Sequence, residues 1–527
     1  MEWLAVEEFA PTIPRLDIEK ARHPDALSRS EFVKDNIVRT VMRLPDPEDA
    51  TGPGLYLKRY KFRRPRERLK HLIVPTKPAT EWKVCRALQK AGIPTCDVLA
   101  IAVRRRRGLH REGFLLSREI AGAVELRDFL RDRRPAAEER NPRYRRELIE
   151  ELADLTARLV DGGFDHRDYH VGNLLIRPGA PAGRRLHVVD LHRVRLRRAG
   201  RRGLLRMLGM LADSTSLSDV SQEDRAAFLR AFLSRWRGGP GDSEDAFARW
   251  SKMIKLAQRR LWRTHMRSRT RRCVVRSTLF TKERAAGFLI HRRRDIPLRS
   301  ALDAVKLHDA AIAGERGDVQ VFRRDLRTEV TVCPCDRVPP FGVNRPAAPD
   351  DVKPANVCVK SFRRASLVER LKDTFRPCSR ARTAWLAARG FSVRGVPAAR
   401  PLALLESRSK LSGKPDYLIT EALENDGDLG ELAMAGLPAG RRRRQLGAAI
   451  ADMLNLLAEK EIYHPDTKPT NFLVKERDGA FDLWLVDLDR VRFDAPPDRN
   501  RWEKSLARLN AGLPADVTVL DRMRCLR

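Results

Sequence analysis

Residues 164–176 read FDHRDYHVGNLLI and place His166, Asp168 and Asn173 in the spacing H-x-D-x-x-x-x-N. Residues 462–474 read IYHPDTKPTNFLV and repeat it with His464, Asp466 and Asn471. The offset is 464 − 166 = 298, and both Asp and Asn keep it. Phosphoryl transfer needs few parts: a carboxylate facing the acceptor hydroxyl, oxygen ligands for Mg²⁺ and a cation for the nucleotide phosphates. In sites of the protein-kinase kind this spacing supplies the carboxylate and one metal ligand, and a strand further on ends in a second metal-binding Asp. Such ends occur here in LHVVD at Asp190 and LWLVD at Asp487, 297 apart. Asp168 and Asp466 are therefore the catalytic candidates. Asn173, Asp190, Asn471 and Asp487 are the metal candidates. His166 and His464 read as histidines that orient the loop. His170 and Lys468, each two residues after the Asp, would face the transferring phosphate. One such pattern is weak, since a loop matches it by chance. Two at one offset, each with its helix and its strand, are not a chance loop.

The elements around these residues repeat too. Leu148, Leu152, Leu155 and Leu159 follow one helical face, and Leu446, Ile450, Met453 and Leu457 stand at +298. Turn residues Pro178-Gly179 and Asp478-Gly479 separate the apolar runs after each Asn, which predicts two antiparallel hairpins. Each hairpin would bring its Asn and Asp toward one end. Upstream, Leu55-Tyr56-Leu57-Lys58-Arg59-Tyr60 alternates like a strand, and Glu81-Trp82-Lys83-Val84 opens a helix. Lys58 and Glu81 are a candidate nucleotide-gripping ion pair. Two plainer readings stand beside this one: Lys58 as one of several solvated cations, and Glu81 as an acid favoured at a helix N-terminus. The second copy has Lys360 in Val357-Cys358-Val359-Lys360. Aligning Leu88-x-x-x-Gly92 with Leu386-x-x-x-Gly390 sets Ser379 opposite Glu81, so the acid is missing there. Neither copy has a G-x-G-x-x-G loop.

The chain of 527 residues thus reads as two copies, 1–264 and 265–527, the second shortened at its C-terminus. A basic helical stretch near 250–272 lies at the boundary. Hydrophobic residues, at 42%, suffice for real cores. Lys and Arg outnumber Asp and Glu by 105 to 70, and the resulting +35 attracts anions. Arginine runs at 104–107, 292–294 and 441–444 add to this field. Nucleic acid is the weaker candidate partner, for want of RNP-like aromatics or zinc-finger spacing. The eight cysteines form no C-x2-C pair, and Cys333-Pro334-Cys335 reads as ordinary reduced thiols. No signal peptide and no apolar run of spanning length is read, which predicts a cytoplasmic or peripheral protein.

Beyond these patterns the chain resembles the Kdo/heptose lipopolysaccharide kinases of the WaaP and InaA type. The resemblance rests on Lys58-Arg59-Tyr60, Glu81-Trp82, Gly92-Ile93-Pro94-Thr95, HRDYHVGNLLI and VVDLHRVRL, with Asp487-Leu488-Asp489-Arg490 in the second copy. It implies an α+β fold class: two tandem two-lobed protein-kinase-like domains, each with a small antiparallel-sheet N-lobe and a mainly helical C-lobe. The lobes would span about 25–120 and 121–264, then about 270–422 and 423–527. It also implies ATP, Mg²⁺ and transfer to a hydroxyl of a lipid-linked sugar of lipopolysaccharide at the cytoplasmic face of an anionic membrane. Two other readings remain. The DTKPTN loop suits a Ser/Thr protein kinase, and one or both copies would be non-catalytic scaffolds if their sites are incomplete.

Overall fold

The computed structural model describes residues 2–524 apart from 24–27, 29–30, 36–37, 50–51, 64, 132–140, 216–219, 341–350, 365, 367, 372–377, 410–412, 496–497 and 516. The chain divides into two compact units, Met1–Trp262 and Arg263–Arg527.

Unit 1 begins with a sheet. Its strands are β1 (Glu2–Ala5), β2 (Phe32–Asp35), β3 (Arg39–Leu44), β4 (Leu55–Lys61), β5 (Val98–Arg106) and β6 (Leu109–Arg118). The order is β1-β5-β6-β4-β3-β2, antiparallel throughout. Helices α1 (Pro65–Ile73) and α2 (Lys77–Lys90) fall between β4 and β5. Helix α2 starts four residues earlier than Glu81, because Thr76 caps it through the amide of Ala79 and Pro78 stands in its first turn. Glu81 is thus mid-helix and fully buried, so the dipole reading of this acid is excluded.

The rest of unit 1 is mostly helical. It comprises β7 (Val124–Glu125), α3 (Leu126–Phe129), α4 (Pro142–Asp161), β8 (Phe164–His166), β9 (Leu174–Ile176), β10 (Leu186–Val188), β11 (Val194–Leu196), α5 (Arg201–Thr215), α6 (Gln222–Arg235) and the first part of α7 (Glu244–Arg271), which runs past the boundary at Trp262. Asn141 caps α4, and Leu148, Leu155 and Leu159 of its stripe are buried against β9, β10, α5 and α6. Burying each such side chain stabilises by about 1.5–3 kcal/mol. The hairpin pairs Leu174 with Val188 and Ile176 with Leu186. β8 pairs with β11, with His166 opposite Val194.

Unit 2 carries a larger sheet: β12 (Phe280–Ala285), β13 (Phe288–Arg293), β14 (Gln320–Arg324), β15 (Thr328–Val338), β16 (Lys353–Phe362), β17 (Pro401–Ser407) and β18 (Asp416–Glu421). Their order is β12-β13-β17-β18-β16-β15-β14. Helix α8 (Leu298–Ala313), without a counterpart among the described residues of unit 1, packs on β15, and its buried His308 meets Thr331 Oγ1 at 2.8 Å. Cys333 and Cys335 are buried free thiols on β15. Helices α9 (Arg380–Arg394), α10 (Leu429–Ala435) and α11 (Gly440–Glu459) follow, then β19 (Ile462–Tyr463), β20 (Phe472–Arg477), β21 (Ala480–Leu485), β22 (Arg492–Phe493), α12 (Arg499–Ala511) and α13 (Val519–Arg524). The α11 stripe Leu446, Ile450, Met453 and Leu457 is buried. The β20–β21 hairpin turns at Asp478 (φ 50°) and Gly479 (φ 77°), as a two-residue turn with both φ positive requires. No helix among the described residues is long and apolar enough to cross a membrane.

The repeat is closer in structure than in sequence, and it corrects one alignment. Helix α2 is followed by Gly92 at φ 66°, with Ile93 N–H donating to Leu88 O at 2.9 Å. Helix α9 is followed by Gly395 at φ 71°, with Val396 N–H donating to Phe391 O at 3.1 Å. Val188 N–H then donates to Pro94 O at 3.0 Å, and Leu485 N–H to Pro397 O at 3.2 Å. Gly92, Ile93 and Pro94 stand 303 before Gly395, Val396 and Pro397, while Val188 and Leu485 keep the hairpin offset of 297, so Gly395 and not Gly390 is the partner of Gly92. The residue opposite Glu81 is Ala384, and Ser379 stands opposite Thr76. Both Thr76 and Ser379 are helix caps. The acid is missing from unit 2 as expected, but at Ala384.

Candidate active site

In unit 1 the short loop after β8 is held by its own side chains. His166 is fully buried, and its Nδ1 accepts from the Asp168 amide at 3.2 Å. Burial pushes this imidazole down to about 4, so it is neutral near pH 7 and serves as an acceptor. Asn173 Nδ2 donates to the Asp168 carbonyl at 2.8 Å, which ties the two ends of the loop together. Val189 N–H donates to Asn173 O at 3.0 Å, so the hairpin sets Asn173 beside the residue before Asp190. Asp190 itself is left-handed at φ 61°, ψ 52°. That conformation costs a non-glycine residue about 1–2 kcal/mol. Asp487 repeats it at φ 58°, ψ 54°. The same strained acid at the same place in both units belongs with a site rather than with packing.

Cations converge on Asp190. Arg39 Nη1 donates to its Oδ1 at 2.9 Å, and His192 Nδ1 lies 2.7 Å from the same oxygen. Burial opposes the Asp190 charge, but His192, Lys58 and Arg39 overcome it and hold the carboxyl far below the usual range. Lys58 Nζ meets Glu81 Oε1 at 2.5 Å, and Tyr60 OH donates to Glu81 Oε2 at 2.8 Å. Burial alone would lower Lys58, yet Glu81 and Asp190 raise it, so the ammonium is held charged. Glu81, Asp190 and His192 present ligand atoms within 4.8 Å of one another. Both oxygens of Glu81 are already committed to Lys58 and Tyr60. The Asp190 carboxylate and the Asn173 Oδ1 are hard oxygen donors of the kind Mg²⁺ takes. Asp168 faces Arg193 Nη1 at 3.4 Å and His170 Nε2 at 3.9 Å. Burial lowers His170, against the pull of Asp168.

Unit 2 keeps the loop and alters its surroundings. His464 Nδ1 accepts from the Asp466 amide at 3.2 Å, and its Nε2 lies 3.3 Å from Val486 O. Asn471 Nδ2 donates to the Asp466 carbonyl at 2.7 Å. Lys468 Nζ lies 3.9 Å from Asp466 Oδ2, the separation His170 keeps from Asp168. With Ala384 in place of Glu81, Lys360 turns to Asp487 and pairs with it at 2.7 Å. Burial resists the Asp487 charge, and Lys360 still lowers its pKa. Asp489 stands where unit 1 has His192, and Arg380 pairs with it at 3.1 Å.

Every sequence-predicted residue of unit 1 therefore lies on this loop, this hairpin or the Lys58–Glu81 pair that adjoins Asp190. Arg39 and His192 were missed as site residues. His192 was visible within Asp-Leu-His-Arg. Arg39 carried no local signal, since it reaches Asp190 from a strand 151 residues away.

The sequence model of the lipopolysaccharide kinase (Kdo/WaaP) family matches residues 30–232 and 352–519, once in each unit. The chain belongs to that family. It is a kinase, a phosphotransferase to an alcohol group. This Kdo/WaaP-family chain is similar to the lipopolysaccharide core heptose(I) kinase WaaP of Pseudomonas aeruginosa, 28% identical over 195 residues, 36% of this chain and 72% of that protein. It is similar also to the lipopolysaccharide core heptose(I) kinase WaaP of Escherichia coli K12, 23% identical over 194 residues, 35% of this chain and 72% of that protein. A solved structure of WaaP in complex with acyl carrier protein is similar at 23% identity with a TM-score of 0.35, covering 49% of this chain and 99% of that chain.

Proposed function

We propose that this kinase transfers the γ-phosphate of ATP to a sugar hydroxyl of lipopolysaccharide, and that unit 1 carries the chemistry. In this reading each unit is a two-lobed kinase-like domain, its sheet half the N-lobe and its helical half the C-lobe. One observation carries the assignment to unit 1: Lys58 and Glu81 are paired at 2.5 Å beside Asp190, whereas Lys360 has no such helix acid among the described residues and pairs with Asp487. Lys58, fixed and charged, holds nucleotide phosphate oxygens. Asn173 Oδ1 and the Asp190 carboxylate would hold Mg²⁺, which supplies charge neutralisation at the transferring phosphoryl group. Asp168 orients the acceptor hydroxyl and takes up its proton. His170, at the edge of that loop, faces the incoming phosphate. The acceptor is a lipid-linked sugar, met at the cytoplasmic face of the membrane by a peripheral protein. The excess of 105 Lys and Arg over 70 Asp and Glu supports attraction to an anionic surface.

The test is transfer of labelled phosphate from ATP to purified lipopolysaccharide core, with and without Mg²⁺ and with Asp168→Asn as control. Transfer to a generic protein acceptor but not to the saccharide would favour the Ser/Thr-kinase reading. A second reading applies to unit 2 alone. Ala384 and the Lys360–Asp487 pair support a nucleotide-binding scaffold without transfer. Protein with the unit 1 site disabled separates the two: nucleotide binding that Lys360→Met weakens, without phosphate transfer, marks a scaffold, and transfer marks a second working site.

A further inference from the structure

Side chains alternate along β4. Lys58 and Tyr60 turn to Glu81 of α2, and Arg59 turns to the other face, where its Nε donates to Glu112 at 2.8 Å. A cleft of about 630 Å³ opens beside Arg59 and Lys61, lined by nine Arg or Lys side chains and only two carboxylates, Asp35 and Glu112. Both carboxylates are already committed. Asp35 pairs with Lys61 at 2.5 Å and accepts from Thr40 at 2.6 Å. Glu112 accepts from Arg59 through Oε1, and its Oε2, without a hydrogen bond, is ion-paired with Arg22 at 3.4 Å and Arg104 at 3.8 Å. Arg63, Arg105, Arg106 and Arg111 have no carboxylate partner among the described residues. The Arg111 Nε is buried and makes no hydrogen bond.

This crowd of cations is built by the fold. The register sets Lys61 opposite Glu112 and Arg104 opposite Glu112, so the ends of β4, β5 and β6 meet. The β5–β6 turn keeps Arg107 left-handed at φ 52° before Gly108 at φ 74°. An arginine is a poor residue for that conformation, yet the turn holds it there among its fellows. Burial, then Arg68, Arg106 and Arg107, depress the pKa of Arg111. Guanidinium groups gathered at such a concave place, with the acids used up, match a phosphate group through forked hydrogen bonds.

We propose that this cleft is a second anion site of unit 1, separate from the nucleotide site, and that it binds a compact, multiply charged phosphate group. The same chemistry is offered by a soluble phosphorylated ligand and by a phospholipid headgroup.

The probe is pyrophosphate, titrated calorimetrically into the full chain with a non-hydrolysable ATP analogue and Mg²⁺ at saturation. Wild type is expected to bind it, more weakly as salt rises. Arg106→Gln/Arg111→Gln is expected to lose at least about tenfold in affinity, with nucleotide affinity unchanged. Arg106→Gln alone, at an exposed position, is the second variant if the double one does not fold. Co-sedimentation with phosphatidic acid vesicles, against neutral phosphatidylcholine vesicles, separates the sources. Sedimentation lost in the same variants assigns a headgroup, and pyrophosphate binding without vesicle binding assigns a soluble phosphate. The proposal is overturned if wild type binds neither probe with the nucleotide site filled, or if the variants bind as wild type does.

Discussion

Arg39 and Asp190 are 151 residues apart in the chain, and their side chains meet at 2.9 Å. Arg39 begins β3 of the sheet, and Asp190 ends the hairpin of the helical half. Their side chains are 20% and 14% exposed, so solvent screens the pair only in part. The oxygen that Arg39 and His192 share, Oδ1, belongs to the carboxylate proposed to hold the metal.

Arg39→Ala should therefore tighten the metal site. If the pair is worth ~1 kcal/mol, the Mg²⁺ concentration for half-maximal turnover falls about fivefold. A rise instead would mean that Arg39 grips the nucleotide more than it competes with the metal. Titration of turnover against free Mg²⁺ at saturating ATP reads the difference.

The two Asp residues of the paired loops are expected to differ in weight. Asp168→Asn lowers turnover by at least ~100-fold, the low end of what general-base positioning contributes. Asp466→Asn changes it less than about twofold on the same scale. The reverse result would move the chemistry to unit 2.

Glu81→Gln removes a fully buried carboxylate from the half-buried Lys58 ammonium. Removing one partner of such a pair costs about 3–5 kcal/mol. The melting temperature should fall together with kcat. Tyr60→Phe removes one hydrogen bond to Glu81 and should cost about 1 kcal/mol with turnover largely kept.

Stability should fall with acid. Burial first, and neighbouring cations after it for His291 and His308, push His166, His291 and His308 each down to about 4. Between about 6.5, the unfolded value, and 4, the unfolded chain binds protons that the native chain refuses. Stability from each histidine is thus complete above that range and is lost as pH falls through it, by at most ~1.4 kcal/mol per pH unit each. Denaturant unfolding at pH 7 and pH 5 checks this. Equal free energies at both pH values would refute the assignment.

What could be read from the residues was what is local in the chain. The α4 stripe and the β9–β10 hairpin follow from periods of 3.6 and 2, so the loop between them was legible. The Lys58–Glu81 pair was legible because strand and helix adjoin in sequence. The start of α2 was misplaced because Glu81 and Trp82 drew attention from the cap at Thr76. Two glycines five residues apart, Gly390 and Gly395, offered two alignments, and only the left-handed φ of Gly395 decides between them. Arg39, the arginine cleft and helix α8 depend on contacts across sheets, which no local pattern announces.

The hydrogen bonds from Val188 to Pro94 and from Leu485 to Pro397 have a dynamic consequence. In each unit the segment that leaves the helix after the sheet lysine is stitched to the hairpin that leads to Asp190 or Asp487: Thr95 pairs in parallel with Val188, and Ala398 with Leu485. Thr95 adds its own hydroxyl, donated to Val188 O at 2.6 Å. Translation of the halves past each other would break these hydrogen bonds, whereas rotation about them would keep them. Opening of a unit's two halves would then be a rotation about that stitch, as a door turns on its hinge pin. Lys58 and Asp190, close to the axis, then move little relative to one another, while the distal sheet edge at β2 sweeps the widest arc.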